Sequence, residues 1–356
     1  MNWKAIKFAL PLLVYFGAWR SFTHHGFIVW LPIVISFAVL PLLELIIRPS
    51  NTNMDAAEEE IAKKDRFYDW LLYMIVPLQY GALFLFLQSM QNPELTTAEK
   101  AGRIAVMGLL CGIFGINVGH ELGHRVNRTE QWLAKSLLLT SLYMHFFIEH
   151  NRGHHKNVGT PKDPNTARRN EPLYFFWIKS ISGAYIEAWE IAANEQKKKG
   201  KSFHQNEMLQ YQLLQIAFCA VIGFFFGLSG LFYFITAAII GILLLETVNY
   251  IEHYGLMRKP LGNGKYERAM PEHSWNSNHV IGRLMLFELS RHSDHHYLAS
   301  RKYQLLRHHD DSPQLPTGYP GSMLLAIVPP LWFRIMNRRI DQQKISTEHV
   351  LHSPVA

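Results

Sequence analysis

MLQYQLLQIAFCAVIGFFFGLSGLFYFITAAIIGILLL, residues 208–245, runs for 38 residues without an Asp, Glu, Lys or Arg. About 20 apolar residues in a helix cross a bilayer core roughly 30 Å thick, so this run is long enough for two crossings. Gly227, Leu228, Ser229 and Gly230 supply the turn between them. Further uncharged runs cover 26–43, 70–93 and 104–120, and a weaker one covers 8–19. Five such runs, one of double length, are not the buried core of a soluble protein. The first reads as a span and not a secretory signal, because no small-residue cleavage site follows it.

Composition agrees. Half of the chain (49%) is hydrophobic and 18% is charged, against about 25% charged in an ordinary soluble domain. That excludes a disordered chain. Two cysteines, Cys111 and Cys219, exclude a disulfide scaffold and a Cys-ligated zinc or iron–sulfur site. The predicted fold is an all-α membrane protein, a single domain over 1–356. Its six spans lie near 8–25, 26–47, 68–90, 104–120, 208–227 and 230–250. Polar regions at 120–207 and 251–356 face the cytoplasm.

Charge placement orients it. The three candidate outer loops, 20–25, 88–103 and 228–230, hold only Arg20, Lys100 and Arg103 of the 35 Lys and Arg. The remainder fall on the other side, which makes both termini cytoplasmic. The net charge of +7 then faces anionic lipid, and nucleic acid has no part in it. Residues 132–148 read as a re-entrant or interfacial helix. Residues 172–195 read as an amphipathic helix on the membrane, and 321–336 as an interfacial tail.

The 19 histidines are grouped. HELGHR (120–125), EHNRGHH (149–155), NYIEHYG (249–255) and LSRHSDHH (289–296) hold nine of them: His120, His124, His150, His154, His155, His253, His292, His295 and His296. On a helix, positions i and i+4 share a face, which joins His120 to His124, His150 to His154, and His292 to His295 and His296. Adjacent pairs point about 100° apart, so each pair can serve two different ions. The topology brings all four clusters to one membrane face. His24, His25, His204, His308, His309, His349 and His352 read as ordinary surface or core residues.

Imidazole suits Zn, Cu, Fe and Ni. A zinc hydrolase needs three protein ligands, and nine is too many for it. Two iron ions with four or five His each suit a di-iron oxygen-activating centre. Neutral donors leave the metal charge uncompensated, so carboxylates are expected behind them. Glu121, Glu149, Glu252 and Asp294 are candidates, along with Asn249; ordinary solvated charge is the alternative reading.

These boxes, with HSWNSNH (273–279) and LPTGYPG (315–321), resemble the integral-membrane alkane 1-monooxygenases of the fatty-acid desaturase and hydroxylase superfamily. The resemblance runs from the second span to about residue 336. It implies two non-haem irons held by nine His, at the positions named above. It also implies O2-dependent terminal hydroxylation of n-alkanes in the inner membrane of a bacterium. Electrons would come from rubredoxin and rubredoxin reductase. Some members carry a fused rubredoxin; this chain has no Cys-x-x-Cys, so a separate donor is expected. Lys197 to Lys199, or Arg168 and Arg169, could meet an acidic carrier. The alternatives are an acyl-lipid desaturase or hydroxylase and a xylene-type monooxygenase. A His-rich metal transporter would carry ionisable residues at mid-membrane depth, which these runs lack. Val29, Ile33, Ser36 and Leu40 form one helical stripe; by position within the family, Ser36 is expected to line a substrate tunnel.

Overall fold

The computed structural model describes the backbone of residues 3–352 and the side chains of residues 5–343. His349 and His352 lie outside the described side chains. The fold is helical, with one small antiparallel hairpin, Pro260–Gly262 against Lys265–Tyr266.

Four helices among the described residues are long and apolar enough to cross a membrane: Gly26–Ile46, Phe67–Ser89, Thr97–Gly123 and Glu207–His253. The last is not one rod. Gly227 takes φ 69° and ψ 179°, a left-handed conformation that glycine adopts without a Cβ clash. Phe218 and Phe234 then stack edge to face, 5.6 Å apart. In a straight helix they would lie about 24 Å apart, so the 47 residues double back as two antiparallel arms.

The first expected span differs. Trp3–Leu12 is a 3-10 helix containing Pro11, followed by an α-helix, Leu13–Thr23. Pro11 has no N–H to donate; the two pieces run on without a break from Trp3 to Thr23, but this stretch is not among the four helices apolar enough to count as spans. The fourth run begins earlier than expected. Its helix starts at Thr97, closed by a capping box between Thr96 and Glu99. Arg103 is therefore inside a helix and not in a loop. It donates to the carbonyls of Ser89 and His24, each at 2.9 Å, and so ties off the ends of two neighbouring helices.

Thr97–Gly123 is the centre of the bundle. A Cβ on Gly241 would lie 2.5 Å from the Cys111 Cβ, so the two backbones meet with only hydrogen between them. Large apolar side chains point outward, among them Ile46, Phe84, Phe224 and Leu228. Such a surface suits lipid.

After His124 the chain folds back as helix Arg128–Leu139. Its end reaches Cys111, with Ser141 Oγ donating to the Cys111 carbonyl at 3.2 Å. Nine residues of helix separate Cys111 from His120, about 13 Å of rise. The segment therefore runs back alongside Thr97–Gly123 and turns at Leu142 (φ 51°). Leu173–Lys198 is one long helix. Phe175 and Ile178 are exposed on one face, while Ala184 and Ala188 are buried on the other.

Candidate metal centre

Four segments end at one place. His120 and His124 close the central helix, and His253 is the last residue of the helical hairpin. A π-helical turn, His150–His154, and the short helix His292–Tyr297 bring the others. The nine histidines form two groups. His120, His124, His150, His155 and His295 make one, and His154, His253, His292 and His296 the other. Within each group the candidate ligand atoms lie within 4.8 Å of one another.

The split follows the 100° step between neighbours: His154 and His155 go to different groups, as do His295 and His296. The i, i+4 rule failed at His150. It was expected to pair with His154, but its Nε2 lies 3.0 Å from that of His155. The π turn is wider than an α turn, so i and i+5 come together there. His292 likewise separates from His295.

The spacing fits metal ligation. Nε2 to Nε2 distances are 2.9 Å for His120–His295, 3.0 Å for His120–His124 and His155–His295, and 3.1 Å for His253–His292. A metal–imidazole bond of about 2.1 Å sets right-angle neighbours about 3.0 Å apart and tetrahedral ones about 3.4 Å apart. Five donors around one point also exceed a tetrahedral zinc set. His154 Nε2 and both nitrogens of His296 are buried without a hydrogen-bond partner, an arrangement costing about 1–3 kcal/mol per group unless something accepts the lone pair.

Burial, aided by the neighbouring imidazoles, pushes His124 down to about 3. It holds His150, His155, His292, His295 and His296 well below the ordinary range. They are neutral donors. Unfolded, they titrate near about 6.5, so below that pH the unfolded chain binds more protons than the folded one. Stability is therefore full above about 6.5 and is lost as pH falls toward the depressed folded values. Chelator-treated protein should show a melting temperature that drops steadily from pH 7 to pH 5; a flat profile would count against a buried neutral set.

Two carboxylates touch the rings from behind. Asp163 Oδ2 accepts from His154 Nδ1 at 3.0 Å, and Glu252 Oε1 lies 3.2 Å from His292 Nδ1. Tyr319 donates to that same oxygen at 2.6 Å. Such partners fix ring orientation. The other sequence candidates are placed differently. Glu121 pairs with Arg125 at 2.6 Å and accepts from the Tyr303 N–H. Asp294 is held by Arg301 at 2.7 Å and by His309 at 2.6 Å, so His309 is an anchor of the last box and not a bystander. Asn249 donates to Glu246. Glu149 accepts from Asn165 at 3.0 Å; burial first, then the nearby Asp163, Glu187 and Glu246, raises its carboxyl well above the usual range.

An apolar cavity of about 80 Å³ opens between the helices. Ser36, Leu40, Ile113, Asn117, Val248 and Tyr319 are among its lining residues. Asn117 is one turn before His120, and Tyr319 donates to Glu252 behind His292, so the lining is tied to segments that carry both groups, although no histidine lines the cavity itself. Val29 and Ile33 are not in the lining. Gly26–Trp30 is 3-10 and Ile35–Val39 is π-helical, so the residues before and after Ile35 do not keep one stripe. Val29 instead packs on Gly102.

A helical bundle that gathers two histidine groups able to hold metal at one end defines a membrane-type, histidine-box protein. The fatty acid desaturase family model matches residues 101–324. The chain is 39% identical to the alkane 1-monooxygenase of Ectopseudomonas oleovorans over 331 residues, 92% of this chain and 81% of that one. It is 39% identical to the alkane 1-monooxygenase of Acinetobacter baylyi over 311 residues, 87% of this chain and 76% of that one. The hydroxylase component of the xylene/toluene monooxygenase of Pseudomonas putida is 28% identical over 325 residues, 89% of this chain and 83% of that one. The chain belongs to the alkane 1-monooxygenase family of oxidoreductases, within the fatty acid desaturase superfamily.

Proposed function

We propose that the chain hydroxylates the terminal methyl of n-alkanes with O2 at two non-haem irons. In this reading it spans the inner membrane of a bacterium six times with both termini cytoplasmic, and electrons come from a separate rubredoxin and its reductase. The observation that carries the proposal is the five-and-four histidine arrangement, with an apolar cavity lined by Asn117, one turn before His120, and by Tyr319, which donates to Glu252 behind His292.

His120, His124, His150, His155 and His295 would hold one iron, and His154, His253, His292 and His296 the other. The iron pair, when bound, supplies the O2 activation and the electron transfer that oxidise an unactivated C–H bond. The protein does the rest. Ile113, Leu244, Val248 and Leu286 line a dry slot, in which each buried methylene contributes about 0.8 kcal/mol. The slot has no charged lining residue, so the alkyl chain is held by shape and water is kept out. Asn117 donates its amide to the Leu286 carbonyl at 3.1 Å, which keeps that polar group tied to the wall. Asp163 holds His154 in orientation through a hydrogen bond, and Glu252 lies 3.2 Å from His292 Nδ1.

Ser36 sets the depth of the slot. Ser36→Trp fills it at that level, so 1-alkanol yield should fall on hexadecane while persisting on octane, normalised to bound iron. An unchanged product ratio would remove Ser36 from the depth-setting role. The function itself is tested by a mixed feed of octane, xylene and an acyl lipid. A product pool dominated by 1-octanol is expected. Methylbenzyl alcohol would favour the xylene-type reading, and an unsaturated acyl chain the desaturase reading.

A further inference from the structure

Just beyond His253 the chain turns in the hairpin Pro260–Tyr266, with Gly262, Asn263 and Gly264 all at positive φ. Contacts on two sides fasten the hairpin and its flanks to the segments that follow His155 and His296. Arg258 donates its backbone N–H to the Gly159 carbonyl at 2.7 Å and its Nη2 to the Lys156 carbonyl at 2.9 Å. Lys162 Nζ reaches the Gly264 carbonyl at 3.4 Å. On the other side, Arg268 donates to the Tyr297 carbonyl at 3.1 Å, and its guanidinium lies 4.8 Å over the Tyr297 ring. Lys156 directly follows His155 and Tyr297 directly follows His296. The surface is thus one residue removed from a member of each group.

This surface is basic. Lys156, Lys162, Lys259, Lys265 and Arg268 are exposed. Of the acids in the same two segments, Asp163 is buried against His154. Glu267 accepts from the Lys259 backbone N–H and contacts His273, which leaves Glu272 at the margin. Among the cations, Leu261 is 69% exposed and Met257 44%.

We propose that this hairpin face docks the electron carrier, a small protein with an acidic surface and a one-electron centre. The proposal rests on the rubredoxin reading above. Opposite charge steers such encounters and sets their salt dependence, and an apolar centre lets the two surfaces shed water. The covalent steps from Lys156 to His155 and from Tyr297 to His296 give electrons a short bonded path inward. Two successive dockings deliver two electrons. With two protons from water they convert alkane and O2 into alcohol and water, and the carrier is oxidised in turn. The other basic runs fit less well: Arg169 is engaged by Asp341 at 2.6 Å, and Lys199 pairs with Glu195 on its own helix.

The test is steady-state octane hydroxylation by the iron-loaded protein with increasing rubredoxin, at several salt concentrations. Lys259→Glu with Lys265→Glu should raise the carrier KM about tenfold and flatten its salt dependence. Single-turnover 1-octanol from the dithionite-reduced enzyme should stay at the wild-type level. Lys197→Glu with Lys198→Glu should leave the carrier KM unchanged. An unchanged KM in the hairpin variant overturns the proposal. So does an equal loss in the dithionite reaction, which would make the hairpin a structural or lipid-facing element. Wild-type protein that turns over with dithionite but never with rubredoxin overturns the carrier reading itself.

Discussion

Purified protein supplied with octane, O2 and NADH should form no sustained 1-octanol until rubredoxin and its reductase are added. The reason lies in what the described fold holds. It is helical apart from one small hairpin, with no parallel sheet whose glycine-rich turn could seat a dinucleotide. A rubredoxin iron needs four thiolates; the chain has two cysteines, Cys111 buried in the central helix and Cys219 in the helical hairpin. On this reading the reducing equivalents of NADH reach the irons only through added carrier proteins. The effect is all-or-none, read as 1-octanol against time. Steady product formation from NADH alone would contradict the need for a separate carrier.

The second large effect is loss of the metal set. His154→Ala or His292→Ala leaves the four-histidine group with three donors. Both rings are buried, and neither lies in a candidate span. Iron should fall toward half, because the five-histidine group is intact, and hydroxylation should fall to background. Membrane insertion and yield should be unchanged. The carboxylates behind these rings give a graded comparison: Asp163→Asn and Glu252→Gln keep every nitrogen donor and should weaken metal affinity by about 10–100-fold. Full iron and activity in either alanine variant would remove that residue from the ligand set.

Much of this site was legible because ligand chemistry is carried by residue identity. His120, His253 and His296 can be named from their boxes without knowing a single torsion angle. The division of His154 from His155 was legible too, since the 100° step is a property of any helix. The partner of His150 was not, because nothing in EHNRGHH announces a π turn. Asp163 was missed because it sits in a loop between Pro161 and Pro164, where no periodicity marks it. His309 was missed because its contact with Asp294 joins an irregular segment to the short helix His292–Tyr297. The tunnel stripe failed for the same reason as His150: 3-10 and π turns around Ile35 move Val29 and Ile33 off the face of Ser36. Among the spans, the double-length run announced its own turn at Gly227. The first run did not reveal that Pro11 would leave 3-10 structure ahead of Leu13.

The most direct test is the isotope content of the product made from octane under 18O2, with rubredoxin and reductase present. The expected product is 1-octanol carrying a single 18O atom, with the other oxygen atom found in water. Octene, a 2-octanol majority, or 1-octanol bearing only oxygen from water would contradict terminal hydroxylation by O2 at this centre.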